Sequence, residues 1–144
     1  MLYLAIDVAK HIVTYCTKQK KPISNLKLQK MLYYVWIDYY KSTNMPLYID
    51  DICAWQFGPV VPDVYYEFCS YAGTAIYREY NDLCSEEDAA IIDATINKLI
   101  NLPACALVGK THEEGKPWDV VFNGGNGLRE VIPFSLIVEL ECRM

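Results

Sequence analysis

Residues 24–40 read Ser-Asn-Leu-Lys-Leu-Gln-Lys-Met-Leu-Tyr-Tyr-Val-Trp-Ile-Asp-Tyr-Tyr. Leu28, Met31, Leu32, Val35 and Tyr39 recur at three- and four-residue intervals, the period of an α-helix. Tyr34 and Ile37 widen that stripe, and Trp36 makes a second face nearly apolar. A helix apolar around most of its girth needs a neighbour on each bare face, so it belongs at the centre of its domain. Ser24 or Asn25 can cap its start, because a short side-chain oxygen accepts a bond from an otherwise orphaned backbone N–H. Lys27, Gln29, Lys30 and Asp38 are the positions in it that require water or a polar partner.

The remaining chain has enough apolar material to cover such a helix. At 144 residues it fits one domain, 1–144, and a domain of that size buries roughly 70% of its unfolded surface. Apolar residues make up 53%, far above the composition of a disordered segment. No apolar run approaches the ~20 residues of a membrane span, so no membrane role is expected. Residues 1–7 lack a basic segment and meet Asp7 early, unlike a secretory signal. The net charge of −5 disfavours nucleic acid as a partner, since phosphate neutralisation needs a basic face. The one basic run, Lys18-Gln19-Lys20-Lys21, reads as a solvated loop after a helix. Six cysteines are scattered without a C-x-x-C pair, mostly among apolar residues where a free thiol acts as a small hydrophobe. The pattern reads as a reduced, cytoplasmic protein with neither a disulfide framework nor a zinc site.

Taken in order, the chain is mainly α. Residues 3–18 form a first amphipathic helix, with Ala5, Val8, Ala9, Ile12, Val13 and Cys16 inward and His11 off the stripe, on the surface. Pro22 keeps Lys21 out of helical geometry. The 42–46 stretch breaks the central helix, and residues 47–51 return toward the core. Residues 50–57 alternate weakly and suit a short extended segment, with a turn at Gly58-Pro59. Pro62 and Asp63 suit the first turn of a third helix, with Val64, Tyr65, Phe68 and Ala72 inward and Gly73 closing it left-handed. Residues 75–80 are β-prone but short, and Asn81-Asp82 reads as a turn. Ser85 and Asp88 resemble a capping box for a helix to about residue 101, with Ala89, Ile92, Ile96, Leu99 and Ile100 inward. A shorter helix covers 104–111 despite Gly109, which costs about 1 kcal/mol in a helix interior. Pro117 opens one or two turns to Phe122, and residues 129–132 are extended. Pro133 opens a terminal helix over 134–141, with Leu136, Ile137 and Leu140 apolar. The expected architecture is one helical domain around the central helix, with two or three short β segments.

Motif-like fragments mostly fail on context. Ser24-Asn25-Leu26-Lys27 matches S-x-x-K, but the accompanying S-D-N and K-T-G elements are absent, which leaves the helix-cap reading. Asn123-Gly124-Gly125-Asn126-Gly127 is glycine-rich, yet no Lys-Ser/Thr follows it to make a phosphate loop, so it reads as a turn. No cofactor is expected. His112, with Glu113, Glu114 and Asp119 nearby, is the most enzyme-like cluster, because a carboxylate can orient an imidazole and stabilise its cation. It lacks a well-placed nucleophile; Cys105 lies on an apolar stretch upstream. Metal binding would need a denser group of His and Cys. Twelve Tyr and three Trp are a surplus of residues that pack with their rings and hydrogen-bond with their tips, as interface hot spots do. They serve equally at the boundary of a helical core.

Four fragments together resemble the Panacea domain family of SocA-like antitoxins and phage-associated proteins. They are Asp7-Val8-Ala9-Lys10, then 23–34 (Ile-Ser-Asn-Leu-Lys-Leu-Gln-Lys-Met-Leu-Tyr-Tyr), then 54–65 (Ala-Trp-Gln-Phe-Gly-Pro-Val-Val-Pro-Asp-Val-Tyr), and Thr111-His112-Glu113 followed by Pro117-Trp118. Their order and spacing follow the family and span most of the chain. The resemblance implies a helical cytoplasmic domain that neutralises a toxin encoded nearby, either by occluding it or as an adaptor that hands it to a protease. It carries no catalytic residues. The family pattern marks Lys27, Gln29, Lys30, Trp55, Gly58, Pro59, Tyr65, His112, Pro117 and Trp118. Two departures stand out. Gly115-Lys116 lengthens the distance from Thr-His to Pro-Trp, and the chain ends soon after its last helix, without the appended domain many members carry. Toxin choice is therefore expected to rest on the domain's own surface.

These marked residues suggest a binding groove. Gly58-Pro59 would fix a turn presenting Trp55 to the central helix, Lys27 and Lys30 would meet Asp119, Glu113 or Asp63, and Trp118 with Trp55 would form the groove floor. Trp55, Lys30 and His112 should then share one neighbourhood. The leading reading is a non-enzymatic, protein-binding antitoxin; the alternative is a small hydrolase using His112 with a neighbouring carboxylate.

Overall fold

The computed structural model describes residues 2–81 and 84–143. Its centre is a helix, α2, spanning Asn25–Thr43. Ser24 caps it, its Oγ accepting from the Lys27 backbone N–H at 3.3 Å. Leu28, Met31, Leu32, Val35, Trp36 and Tyr39 are all buried, and each large aliphatic among them stabilises the fold by about 2 kcal/mol. The polar atoms among these rings are satisfied. Trp36 Nε1 donates to the Tyr48 carbonyl at 2.9 Å, and Tyr48 Oη donates to the Leu32 carbonyl at 2.8 Å. Asn44, left-handed at φ 60, ends the helix, as Asn does more readily than most residues.

Helix α1 (Ala5–Lys18) packs on α2, and so does α4 (Glu86–Leu99). Helix α5 (Ala104–Thr111) and the C-terminal turns cover further faces of α2. Those turns are α7 (Phe134–Ile137) and a wider π-type turn over Val138–Cys142. Ser85 caps α4 by accepting from the Asp88 N–H at 3.4 Å. Asp88 in turn accepts from Tyr3 Oη at 2.6 Å and Tyr39 Oη at 3.0 Å, which ties the starts of α1 and α4 to the end of α2. The protein is a mainly α, compact helical domain, and among the described residues no single helix is long and apolar enough to cross a membrane.

The small β element places the site. Strand β1 (Cys53–Trp55) pairs antiparallel with β2 (Gly58–Val60), with Cys53 opposite Val60 and Trp55 opposite Gly58. Residues 129–132, expected to be extended, line the other edge of β1, but Arg129 at their start is left-handed at φ 71. Arg129 N–H donates to the Ala54 carbonyl at 2.6 Å, Ala54 N–H to the Glu130 carbonyl at 2.8 Å, and Ile132 N–H to the Ile52 carbonyl at 2.7 Å. Helix α3 (Pro62–Glu67) leaves the hairpin with Pro62 in its first turn. Helix α6 (Pro117–Phe122) starts the same way on Pro117.

Several local expectations are corrected. His11 is buried, not on the surface, with Nε2 2.7 Å from Asp93 Oδ1. The reason is that α4 covers this second face of α1, where Tyr15 also bonds Asn97 at 2.8 Å. The hairpin turn is Gln56-Phe57 rather than Gly58-Pro59. Gly58, at φ 111, closes that turn, and Pro59 already sits in β2. After α3 the left-handed residue is Ala72 (φ 51), not Gly73, and Ala72 is exposed. Residues 75–80 make only an isolated bridge, Ile23 to Ile76. Asp82 of the expected Asn81-Asp82 turn lies outside the described residues.

Candidate partner-binding groove beside the hairpin

A brace behind the hairpin holds the site. Lys30 points from α2 into the protein with no exposed surface at all. Its Nζ donates to the Pro59 carbonyl at 3.0 Å. Burial lowers its pKa to about 7, because desolvation disfavours the ammonium. Gly58 lies directly over it: a Cβ there would meet Thr111 Oγ1 at 2.7 Å and Lys30 Cε at 2.9 Å. Glycine is thus required twice at position 58, for its positive φ and for close packing. Thr111 ends α5, and His112 follows as its C-cap.

The His112 ring stacks flat on Trp118, centroids 3.6 Å apart, and Phe122 stacks with Trp118 at 4.4 Å. Trp118 Nε1 donates to the Trp55 carbonyl at 2.8 Å. The chain Lys30–Pro59, Gly58–Thr111, His112–Trp118–Trp55 therefore locks the hairpin to α2, α5 and α6. Burial and the nearby Lys30 lower the His112 pKa, against an opposing pull from Asp119. Its Nε2 is buried without a hydrogen-bond partner. The Asp119 carboxylate accepts from the Gly115 N–H at 3.0 Å rather than from the imidazole.

In front of the brace lies a groove with a cavity volume of about 460 Å³, between the start of α2, the hairpin, α3 and residues 128–129. Trp55 and Tyr65 form its aromatic wall, ring centroids 5.0 Å apart and edge to face, with Tyr66 behind them at 5.6 Å from Tyr65. Such pairs add about 1 kcal/mol beyond the area they bury and hold the rings in place. At the groove's inner end Gln29 Nε2 donates to Asn25 Oδ1 and Gln29 Oε1 accepts from the Val61 N–H, both at 3.0 Å. Asn25 Nδ2 donates to the Tyr65 carbonyl at 3.0 Å. These amides are occupied in fixing α2 to β2 and α3, so the groove's free surface is mostly apolar. Leu26, Phe57 and Leu128 are its exposed aliphatic and aromatic groups, and Arg129 lies over the Trp55 ring at 4.9 Å.

Of the residues marked from the sequence, Gln29, Trp55 and Tyr65 line the groove. Lys30, Gly58, Pro59, His112 and Trp118 form the brace behind it, where Trp55, Lys30 and His112 share one neighbourhood. Pro117 starts α6 and is buried. Lys27 is elsewhere: its Nζ donates to the Ile100 carbonyl at 2.6 Å, beyond the end of α4. Neither lysine meets Asp119, Glu113 or Asp63, since the backbone carbonyls of Ile100 and Pro59 take the two ammonium groups. Trp118 is not the groove floor, because it is spent bracing the hairpin from the far side. Sequence reasoning missed Asn25, Leu26, Phe57, Leu128 and Arg129. Phe57, an aromatic at a hairpin tip, carried a usable signal; Arg129 carried none until the pairing of residues 129–132 with β1 was in view.

What these elements define is a helical domain carrying an aromatic groove on a braced hairpin. Residues 28–119 match the family model described as antitoxin SocA-like, Panacea domain. The chain is 34% identical over 126 residues to the antitoxin SocA of Caulobacter vibrioides (strain NA1000 / CB15N), an alignment covering 75% of this chain and 67% of that protein. The chain belongs to the SocA-like antitoxin, Panacea-domain family. No solved structure gives a significant match to it.

Proposed function

We propose that this protein is a cytoplasmic antitoxin that neutralises a partner toxin by binding it directly, with the groove beside the hairpin as the contact surface. The family membership supports the antitoxin role. The single structural observation that carries the choice of surface is the exposure of aromatic and aliphatic groups on a hairpin locked from behind. Phe57, at the hairpin tip, is 57% exposed and Leu128 is 50% exposed, beside the half-buried Trp55 and Tyr65. Rigid aromatic groups at a surface lose little entropy on binding, which is why they dominate interface energetics. His112 takes no part in chemistry in this reading: its flat face is used in stacking, and it does not line the groove.

The test is co-expression with the reading frame encoded beside this one. Toxicity of that partner alone, growth restored by this chain, and co-purification of the two as a complex are the expected results. Growth not restored, or restored without any complex, refutes direct neutralisation. The partner's steady-state amount separates the two routes: it stays constant under occlusion and falls if the complex is handed to a protease.

A further inference from the structure

We infer that the groove receives a segment of the partner protein in which an apolar side chain stands next to a carboxylate. The apolar group enters against Trp55, Leu26 and Phe57, and the carboxylate pairs with the Arg129 guanidinium. The partner's identity as a toxin rests on the function proposed above; the groove's chemical preference does not.

The charge pattern carries this. The protein has net charge −5, yet no Asp or Glu lines the groove, and Arg129 is the one charged residue that does. Among the described residues no carboxylate lies within 4.0 Å of that guanidinium. Its neighbour Glu130 faces the opposite way, its carboxylate lying near Gly127 and lining a separate depression with Val131. Arg129 is thus the unneutralised cation at the mouth of an apolar site. The guanidinium lies over the Trp55 ring at 4.9 Å, a cation–π contact that uses the face of the ring and leaves the guanidinium N–H groups available to bind. Those groups match a carboxylate with two parallel hydrogen bonds. A lysine or arginine on the incoming segment would be repelled at the same point.

The backbone is built to hold Arg129 there. Its φ is 71, a left-handed conformation that arginine rarely adopts, and such strain persists only where the surroundings impose it. They do so here through bonds on both sides. Arg129 N–H donates to the Ala54 carbonyl at 2.6 Å, Glu130 N–H to the Gly127 carbonyl at 3.0 Å, and Gly127 N–H to the Phe122 carbonyl at 2.9 Å. Gly127 also admits no side chain, since a Cβ would collide with the Val121 carbonyl. Leu128 and Arg129 lie beyond the family-matched residues 28–119.

The experiment uses the full chain, ¹⁵N-labelled, titrated with N-acetyl-Leu-Glu amide, N-acetyl-Leu-Gln amide, N-acetyl-Leu-Lys amide and octanoate. The Trp55 indole N–H resonance, assigned by its loss in Trp55→Phe, is the reporter. The Glu peptide should bind roughly five-fold more tightly than the Gln peptide, the worth of one exposed charge pair, and the Lys peptide should bind most weakly. Arg129→Gln should equalise the Glu and Gln peptides. Arg129→Asn, a residue that tolerates a left-handed backbone, should do the same with the fold intact by thermal melt. Equal affinities for Glu and Gln peptides in the unaltered protein, shifts that bypass the groove, or octanoate binding more tightly than the Glu peptide would each overturn the inference. In cells, Arg129→Glu should weaken neutralisation of the co-expressed toxin. Full rescue by that variant overturns the inference and leaves the antitoxin reading standing. Preference for the Glu peptide in a chain that neutralises nothing overturns the antitoxin reading and leaves the groove's chemistry standing.

Discussion

Lys30→Met should stabilise the protein at neutral pH, and the size of the gain should shrink as pH rises. Lys30 is fully buried and its Nζ donates to the Pro59 carbonyl. Its folded pKa is about 7, against an unfolded value of about 10.4. The unfolded chain therefore binds more protons than the folded one between these values, so the lysine's contribution to stability rises with pH across that window. Below about pH 7 the ammonium is charged in both states and the burial cost is complete; above about pH 10 it has vanished. At pH 7 the linkage amounts to roughly 4 kcal/mol, an upper bound because buried sites relax. The lost hydrogen bond to Pro59 returns about 1 kcal/mol of destabilisation, leaving Lys30→Met about 2–3 kcal/mol more stable near pH 7. Urea unfolding of both proteins at about pH 7 and about pH 9 isolates the effect: the gap should narrow by roughly 2 kcal/mol. Thiols such as Cys16, its pKa raised to about 12 by burial, change stability in the opposite sense at high pH, but equally in both proteins. A gap that stays constant between the two pH values would refute the reasoning, since it would mean that Lys30 keeps its proton in the folded state.

Gly58→Ala should cost roughly 2 kcal/mol or more, because it adds a Cβ against Thr111 and Lys30 at a positive φ; a thermal melt reads it, and an unchanged Tm contradicts the brace. Trp118→Leu should cost about 3 kcal/mol through lost stacking on His112 and Phe122 and an unpaired Trp55 carbonyl, and it should shift the Trp55 indole resonance because the hairpin loses its backing. Burial by itself raises the Asp88 pKa, but the bonds from Tyr3, Tyr39 and Ser85 outweigh it and the net shift is downward. Asp88 therefore contributes stability that is present above its unfolded pKa and lost as pH falls through its folded one. Asp88→Asn should be less stable than the unaltered chain at neutral pH, and unfolding curves should converge below about pH 4.

The central helix was legible because its signal is redundant: period, girth and cap all point to the same residues, and each is a local property. The capped start of α4 and the prolines opening α3 and α6 were legible for the same reason. His11 was not, because a one-face stripe is a lower bound on burial; only the placement of α4 tells that α1 is covered on two sides. Lys27 and Lys30 were misassigned by an assumption that cations seek carboxylates. Here the Pro59 carbonyl within β2 and the Ile100 carbonyl at the end of α4 took them, and a carbonyl asks no desolvation of a second charge. Trp118 and Trp55 were correctly brought together, but the order of layers was inverted.

That inversion bears on how the site works. A tryptophan at the floor of a groove would be free to yield to an incoming group. A tryptophan behind the hairpin, bonded through Nε1 to the Trp55 carbonyl, instead fixes the backbone from which the exposed rings project. The left-handed residues Ala72 and Arg129, two of the five non-glycine positions with positive φ, both border the same groove. Each such conformation costs about 1 kcal/mol or more, and neither is needed to close a helix around α2. The other three, Lys20, Asn44 and Asn123, follow the ends of α1, α2 and α6, so only Ala72 and Arg129 bring irregular backbone to the place where α3, the hairpin and residues 128–129 meet. With its hairpin backed by Trp118 and two constrained residues on its rim, the groove is preformed, which is the condition under which the proposed contact would lose least on binding.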